Sequence, residues 1–311
     1  MVEIHNKPKY AATVGFFDGV HTGHLSLIKQ LIKAAHNRGL ESMVLTFPQH
    51  PRQVLNSDYK PLLLTSPEDK ICKLRKSGVD RCEQIDFTLE LSLMTAKEFM
   101  SKILRDRFGV KCLILGHDHH FGHDGLKNLE DYVILGQDND IEVIRADTHF
   151  FDNKAVSSSR IRRKLQKGDV ERAGSMLGYS YSIRGKVVHG SKNGHKIGFP
   201  TANLGPYCEL MQIPANGVYA AIATVGNEQF YSMLNIGVRP TFNNGKTRTI
   251  EAHLFDFDRD IYGCDLELRF IKYIRAEHKF NSPLLLKEQL KLDSEIAINI
   301  LEIYKRDSLS I

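Results

Sequence analysis

The sequence lacks the cysteine patterns of disulfide-rich and zinc-binding proteins. It contains five cysteines in 311 residues, and no two of them form a C-x-x-C pair. They are Cys72, Cys82, Cys112, Cys208 and Cys264. Because their number is odd and their spacing is wide, we expect neither a disulfide framework nor a zinc site.

Long apolar runs and a signal peptide are absent as well. No segment approaches the roughly 20 apolar residues that span a bilayer, and the first residues, with Glu3, Lys7 and Lys9, do not follow a signal-peptide pattern. The net charge of +5 is spread along the chain, apart from one basic run of helical spacing at residues 160–167. We therefore expect a cytoplasmic protein that attracts small anions, with neither a membrane nor a nucleic acid as its partner.

The composition is that of an ordinary globular protein, with 42% apolar and 25% charged residues. A chain of this length exceeds what one hydrophobic core usually serves, so two packed domains are expected. Near residues 178–182 the sequence changes from alternating strand and helix patterns to β-rich runs. This change places the predicted domains at residues 1–180 and 181–311.

The first half alternates short apolar strands with helical patterns, which predicts an α/β domain with a parallel sheet. The predicted strands are residues 11–17, 42–47, 79–85, 111–115 and 142–145. The predicted helices are residues 25–38, 67–77, 95–108, 126–136, 158–168 and 169–177.

The second half is rich in β-forming runs separated by glycine and asparagine turns, which predicts an antiparallel barrel or sandwich. These runs are residues 181–188, 217–225, 229–236, 249–254 and 266–274. Helical periodicity returns at residues 283–304. The apolar face predicted to pack on the sheet consists of Leu286, Leu290, Ile296, Ile300 and Ile303.

The first chemical motif is T-V-G-F-F-D-G-V-H-T-G-H at residues 13–24. Its glycines follow a buried strand, and His21 and His24 fall where a helix begins, so both imidazoles can face one anion at the positive end of the helix dipole. Gly23 removes a side chain that would keep a phosphate from the backbone. An isolated H-x-x-H is more often an exposed cap, but the coincidence of strand, turn and helix start favours a phosphate site.

Two further segments contain groups that suit phosphates and metal ions. V-S-S-S-R-I-R at residues 156–162 places serine hydroxyls at a helix start with Arg162 one turn later, which suits a phosphate clamp or a plain N-cap. In F-P-T-A-N, Thr201 and Asn203 alternate and would face one side of a strand, where their oxygens suit Mg²⁺. The alternative is a pair of polar residues on the wet face of an edge strand.

The motif G-F-F-D-G-V-H-T-G-H resembles the signature of the nucleotidyltransferase superfamily. The chain is similar, nearly from end to end, to the bacterial bifunctional riboflavin kinase and FAD synthetase family. That resemblance implies a Rossmann-like α/β nucleotidyltransferase domain with a parallel sheet, then an antiparallel β-barrel riboflavin kinase domain with a terminal helix. T-F-P-Q-H-P at residues 46–51 and G-H-D-H-H-F-G at residues 116–122 also resemble family elements.

In the first domain, the resemblance implies catalytic roles for His21 and His24, which would stabilise charge on the α-phosphorus. It places His50 near the flavin phosphate. The residues implied to bind nucleotide are Gly15, Phe16, Phe17, Asp18, Gly19, Gly23, Asp118, Ser158, Ser159 and Arg162. Ser159 stands where the family commonly has threonine, and a hydroxyl is retained.

In the second domain, R-G-K-V-V-H-G-S-K-N-G-H-K-I-G-F-P-T-A-N-L at residues 184–204 resembles the riboflavin kinase module. The resemblance implies Glu251 as the catalytic base, Thr201 and Asn203 as Mg²⁺ ligands, and Asn235 and Arg275 as flavin-binding residues. The residues implied to bind ATP in this domain are Gly190, Gly194, Gly198 and Pro200.

The implied function is two-step FAD synthesis, with Mg²⁺ as the cofactor. Riboflavin and ATP would give FMN and ADP, and FMN and a second ATP would give FAD and pyrophosphate. Three alternatives stay open at this point: a cytidylyltransferase or pantetheine-phosphate adenylyltransferase, an aminoacyl-tRNA synthetase relative, which would lack its K-M-S-K-S loop, and a non-catalytic flavin carrier. The sequence does not determine the oligomeric state, channelling of FMN or the relative activity of the two domains.

Overall fold

The computed structural model describes residues 9–56, 58–117, 120–126, 128–190, 194, 198–205, 210–240 and 246–309. Contacts within the chain divide it into two compact units, Met1–Ser158 and Ser159–Ile311. The division precedes the predicted boundary at residues 180 and 181, because the contacts group the helices that follow residue 158 with the second unit.

The first unit is built on the predicted parallel sheet. Its strands are β1 (Tyr10–Val14), β2 (Glu41–Thr46), β3 (Arg81–Gln84), β4 (Val110–Leu115) and β5 (Glu142–Arg145). They lie in the order β3-β2-β1-β4-β5, and each neighbouring pair is parallel. Alternate residues of a strand face opposite sides, so Ala12 and Val14 join one apolar core while Ala11 joins the other. This burial of both faces explains the apolar runs in the sequence.

Helices cover the sheet and connect its strands. They are α1 (Thr22–His36), α2 (Pro51–Leu55), α3 (Pro67–Arg75), α4 (Leu89–Ser92), α5 (Ala96–Glu98), which continues as the π-helical segment Phe99–Arg107, and α6 (Leu129–Gln137). The short α2 and α4 and the hairpin of β6 (Phe150–Phe151) and β7 (Lys154–Ala155) were not predicted. Elements of two to five residues are too short to show a periodic pattern.

The second unit contains a closed antiparallel barrel, so the barrel prediction is confirmed and the sandwich alternative is wrong. The helices α7 (Ser158–Leu165) and α8 (Val170–Leu177) precede it. Its strands are β8 (Ser182–Val188), β9 (Ala202–Leu204), β10 (Gly217–Val225), β11 (Glu228–Pro240), β12 (Lys246–Leu254) and β13 (Asp265–Arg275). Going around the barrel, the order is β10-β11-β12-β9-β8-β13.

The terminal helix α9 (Pro283–Leu309) packs on the barrel through a face that matches the predicted one in part. Of the predicted residues, Leu290 and Ile300 pack against the barrel core beside the buried Ala297 and Leu301, and Leu286 lines a cavity of the barrel, whereas Ile296 and Ile303 are exposed. The inward stripe also includes Asp293, which is fully buried because its carboxylate accepts hydrogen bonds from Arg275. A prediction that follows apolar residues alone misses an inward carboxylate and assigns exposed isoleucines to the inward face.

The observed orientation of α9 leads to a stability prediction. Leu301→Ala should lower the free energy of unfolding of the second unit by about 2–5 kcal/mol, because it leaves a cavity in a packed core. Ile303→Ala is the matched control on the same helix; its side chain is 46% exposed, so the change should be small. Urea denaturation of both variants checks this. Equal losses in the two variants would contradict the observed orientation of α9.

Candidate active sites

The first candidate site lies where β1 gives way to α1, at residues 15–24. His21 is the N-cap of α1: its Nδ1 accepts a hydrogen bond of 3.2 Å from the backbone N–H of His24. The two imidazole rings stack, with centroids 3.6 Å apart and planes 13° from parallel. Accepting at Nδ1 leaves Nε2 of a neutral His21 to donate. His21 is thus a cap, but a buried one, and the pair forms one unit at the positive end of the helix.

His24 carries an unused polar atom. Its Nδ1 is buried and has no hydrogen-bond partner among the described residues. Burial lowers the pKa of His24 well below its ordinary value, and electrostatic interactions with His21 and Lys70 lower it further. The ring is therefore neutral at neutral pH, and it can offer a hydrogen bond to an anion without carrying a charge. A buried polar atom of this kind points to a ligand, because protein groups normally satisfy such atoms.

Gly23 lets another segment approach the helix start. A Cβ atom at Gly23 would lie 3.1 Å from Nδ1 of His21 and 3.3 Å from the carbonyl oxygen of Val156. The hydroxyl of Ser158 donates a 2.9 Å hydrogen bond to the carbonyl oxygen of Asp18. Two members of the V-S-S-S-R-I-R segment thus lie beside the turn, and Ser158 uses its hydroxyl proton to support it.

Asp18 supports the same turn from the other side. Its carboxylate accepts hydrogen bonds from the backbone N–H groups of Leu64, at 2.9 and 3.1 Å, and Thr65, at 3.3 Å. The N–H of Gly19 donates to the Thr65 hydroxyl at 3.2 Å, and Gly19 has a left-handed φ of 82° that other residues rarely adopt. Asp18, predicted to bind nucleotide, therefore has a structural task in the turn.

The structure brings His50 close to this turn. His50 is the N-cap of α2, and its ring meets the ring of Phe16 edge-on, with centroids 4.8 Å apart. Its Nδ1 accepts a hydrogen bond from the N–H of Arg52 at 3.1 Å, which leaves Nε2 of a neutral ring as a donor. The hydroxyl of Thr46 also donates to the carbonyl of Phe16 at 3.3 Å. Both segments follow neighbouring parallel strands, whose carboxyl ends form the usual ligand crevice of such sheets.

Lys70 of α3 escaped the sequence analysis. Its side chain is 2% exposed, and its Nζ donates a 2.6 Å hydrogen bond to the carbonyl of Phe47 while lying 3.9 Å from the centre of the Phe16 ring. Burial lowers its pKa to about 8. The sequence feature that could have predicted its burial is its position one turn before Leu74, on the same face of α3.

The remaining predicted residues of this site fall into two groups. Asp118 lies outside the described residues. Ser159 and Arg162 belong to the second unit, and their roles stay predictions. Gly15 and Phe17 lie in the turn itself: a Cβ atom at Gly15 would come within 3.0 Å of the Phe17 ring.

The second candidate site is a cavity of about 730 Å³ at the barrel. It brings together five residues that were predicted separately: Gly194, Thr201, Asn235, Glu251 and Arg275. Apolar side chains supply much of the remaining wall: Phe199, Val218, Met233, Leu234, Leu286 and Leu290. A mainly apolar cavity with a few converging polar groups is the usual form of a small-molecule site.

Strand pairing positions the F-P-T-A-N residues. Asn203 of β9 lies opposite Glu251 of β12 and opposite Val188 of β8. Its side-chain amide packs against Gly190, where a methyl group would overlap it. Thr201 directly precedes β9 rather than lying within it. The glycine at position 190 therefore makes room for the Asn203 amide.

The turn before Thr201 is held by two hydrogen bonds. The N–H of Phe199 donates to the carbonyl of Gly194 at 2.9 Å, and Gly198 has a left-handed φ of 85°. Nδ1 of His253 donates to the carbonyl of Pro200 at 2.7 Å, and His253 also lines the large cavity. The sequence analysis gave His253 no role, because its contact is to a backbone atom distant in the sequence.

Arg275 lies on the cavity wall and is held there by Asp293. Its Nε and Nη2 donate to the buried carboxylate, the shortest contact being 2.6 Å, and Gln289 donates to the same carboxylate at 2.9 Å. Much of the guanidinium predicted to bind flavin is thus committed to an ion pair that joins β13 to α9.

A smaller cavity of about 300 Å³ shares Thr201 with the larger one. Its wall includes Pro200, Ala202, Phe257, Arg259 and Tyr262. Thr201 therefore stands between two spaces that could hold two different ligands.

Comparisons with known proteins agree with both halves of the chain. A family model described as FAD synthetase matches residues 3–160, and one described as riboflavin kinase matches residues 177–301. A bifunctional riboflavin kinase/FMN adenylyltransferase of Listeria monocytogenes is 37% identical, with 91% of this chain and 89% of that protein covered. The one from Bacillus subtilis is 36% identical over 93% and 92%, and the one from Escherichia coli K12 is 34% identical over 90% and 89%.

A crystal structure from Streptococcus pneumoniae, described as a macrolide-efflux protein, shares the fold with a TM-score of 0.85 at 34% identity, over 94% of this chain and 95% of that one. Within the described ranges, no helix combines the length and apolar composition that crossing a membrane requires. The chain belongs to the bifunctional riboflavin kinase/FMN adenylyltransferase family and is an enzyme of two-step FAD synthesis, which phosphorylates riboflavin to FMN and adenylylates FMN to FAD.

Proposed function

We propose that the large barrel cavity binds riboflavin and that Glu251 prepares its terminal ribityl hydroxyl for phosphorylation. The convergence of Thr201, Asn235 and Glu251 on one largely apolar cavity carries this proposal. The apolar wall suits the flat flavin ring system, and the polar edge suits the ribityl chain. Asn235 and Asn203 lie opposite Glu251 on its two neighbouring strands, so the three side chains start from the same face of the sheet.

In this step the hydroxyl oxygen forms a bond to the γ-phosphorus of ATP, and the bond from that phosphorus to the β-phosphate oxygen breaks. Glu251 orients the hydroxyl and accepts its proton, which is the usual work of a carboxylate in phosphoryl transfer to an alcohol. FMN and ADP leave. Arg275, tied to Asp293, shapes the wall on which the flavin lies.

The smaller cavity is where we place the nucleotide of the kinase step. Phe257 and Tyr262 offer aromatic surfaces for a base. Because this cavity shares Thr201 with the flavin cavity, a nucleotide there can direct its phosphates toward the flavin. Gly190, Gly194, Gly198 and Pro200 would follow those phosphates, as the family resemblance implies.

Thr201 and Asn203 fit a magnesium ion. A hydroxyl and an amide oxygen are hard ligands, and Mg²⁺ typically takes few protein ligands together with phosphate oxygens and water. The room left at Gly190 for the Asn203 amide supports this fit. When bound, Mg²⁺ would neutralise charge on the transferring phosphates.

For the second step, we propose that His21 and His24 bind the α-phosphate of ATP at the start of α1. An oxygen of the FMN phosphate forms a bond to the α-phosphorus, and the bond to pyrophosphate breaks. The FMN phosphate is already ionised, so the step needs no strong general base. The neutral histidines donate hydrogen bonds to the added charge, which strengthens as the transition state forms.

Further residues complete this proposed site. His50, next to Phe16, would donate from Nε2 to the FMN phosphate. Ser159 and Arg162 would hold the departing pyrophosphate, while Ser158 and Asp18 act through the turn that they support. A cytoplasmic location is part of the same proposal, since the substrates of both steps are soluble phosphates and nucleotides.

Replacing His24 should separate the two activities. His24→Ala should lower the rate of FAD formation from FMN and ATP by about 10²–10³-fold, the usual effect of losing a transition-state hydrogen-bond donor. FMN formation from riboflavin should stay within twofold, as should both rates in the control His36→Ala, an exposed histidine of the same helix. Chromatography of the flavin products measures both rates. Normal FAD formation by His24→Ala would contradict its proposed role.

Replacing Glu251 should have the opposite effect. Glu251→Gln keeps the shape of the side chain but loses the base, so riboflavin phosphorylation should fall by about 10²–10⁴-fold. FMN supplied directly should still be converted to FAD at the normal rate. Glu295→Gln, an exposed change on α9, is the control. A kinase rate within tenfold of the parent enzyme would exclude Glu251 as the proton acceptor.

A methyl group at Gly190 should displace the Asn203 amide. Gly190→Ala is therefore expected to weaken Mg²⁺-dependent kinase activity at least tenfold and to raise the Mg²⁺ concentration needed for half-maximal rate. The adenylylation rate from FMN is the internal control. An unchanged magnesium titration would show that the position of Asn203 does not depend on this glycine.

A further inference from the structure

Lys70 is a buried cation that the two proposed reactions leave unexplained. Its side chain is 2% exposed, and lysine is almost never this deeply buried without a reason. Its ammonium group lies between the Phe16 ring, 3.9 Å from the ring centre, and the carbonyl of Phe47, to which it donates at 2.6 Å.

The two partners of Lys70 belong to two different loops. Phe16 lies in the turn after β1 that leads to the histidine pair, and Phe47 lies after β2 in the segment that leads to His50. The ring of His50 in turn meets the ring of Phe16. Lys70 therefore joins the two loops that hold the proposed ATP phosphates and the proposed FMN phosphate.

The segment that contains Lys70 is itself fixed to the turn after β1. Leu64 and Thr65, which precede α3, are hydrogen-bonded to Asp18 and Gly19. The segment before α3 is thus attached to this turn through Asp18 and Gly19. The helix itself is attached through the contact between Lys70 and the Phe16 ring. The ammonium group of Lys70 therefore has a fixed position.

We propose that Lys70 is a positioning residue of FMN adenylylation, whose ammonium group holds the loops after β1 and β2 together and places a positive charge behind the phosphate site. The inference rests on the proposed location of adenylylation at the histidine pair. Lys70 does not reach the reacting atoms; it acts through Phe16, Phe47 and the field that it adds to the site.

The cost of burying Lys70 supports a functional role. Removing an ammonium group from water is unfavourable, and burial lowers the pKa of Lys70 to about 8 in spite of the opposing effect of the Asp18 carboxylate. The other titratable groups that face it are Cys82 of β3 and His24 of α1. A methionine would fill the same volume without this cost, so packing alone gives no reason for a lysine here.

The test compares Lys70→Met with the exposed control Lys76→Met, which lies at the end of the same helix. Lys70→Met keeps the length of the side chain and removes the charge. We expect kcat/KM for FMN adenylylation to fall at least tenfold and riboflavin phosphorylation to stay within twofold. Lys70→Gln, which retains a donor without the charge, should recover less than half of the loss. Adenylylation within twofold of the parent enzyme in Lys70→Met would overturn the proposal.

The pH profile gives a second readout. Because burial lowers the pKa of Lys70, the ammonium is present below about pH 8 and is lost above it, so adenylylation should decline between pH 7 and 9. The kinase rate of the same protein should not show this decline, and Lys70→Met should lack it. The same decline in Lys70→Met would overturn the assignment.

The two proposals fail in different ways. If His24→Ala and Lys70→Met both adenylylate FMN normally, the reaction does not occur at the histidine pair, and the proposed function of the first unit is wrong. If only Lys70→Met is normal, the site is correct and Lys70 has no part in it.

Discussion

The carboxylate of Asp18 fixes the turn on which the first site depends. By accepting hydrogen bonds from two backbone N–H groups before α3, it holds the residues between β1 and α1 in a conformation with left-handed φ at Phe17 and Gly19. Such conformations persist only where the surroundings enforce them. The stacked histidines, the buried Nδ1 of His24 and the approach of Ser158 all lie on this turn.

In the barrel, polar contacts likewise position the residues of the site. The buried carboxylate of Asp293 holds Arg275 at the cavity wall, and Nδ1 of His253 holds the carbonyl of Pro200. In both units, polar contacts outside the proposed reacting groups determine where those groups stand. Removing one partner of a buried ion pair leaves an unpaired charge, which is strongly unfavourable, so the pair of Arg275 and Asp293 is difficult to change one residue at a time.

Much of the architecture could be predicted because local sequence patterns indicate its strands and helices. Buried parallel strands appear as apolar runs, and the barrel strands appear as β-rich segments between turns. Most predicted site residues come from contiguous motifs, and the structure brings five of them to one cavity. Lys70, His253 and Asp293 were missed because each is explained by a partner remote in sequence: Phe47, Pro200 and Arg275. The inward face of α9 was predicted only in part for the same reason, since the pair with Arg275 places a carboxylate among apolar neighbours.

The brevity of β9 has a consequence for the barrel as a whole. This strand has three residues, and it closes the ring by pairing with β12 on one side and β8 on the other. One of the strands on which closure of the ring depends therefore carries Asn203. A ligand that bound this amide in the folded barrel and not in the unfolded chain would stabilise the pairing of β9 and make the barrel harder to unfold.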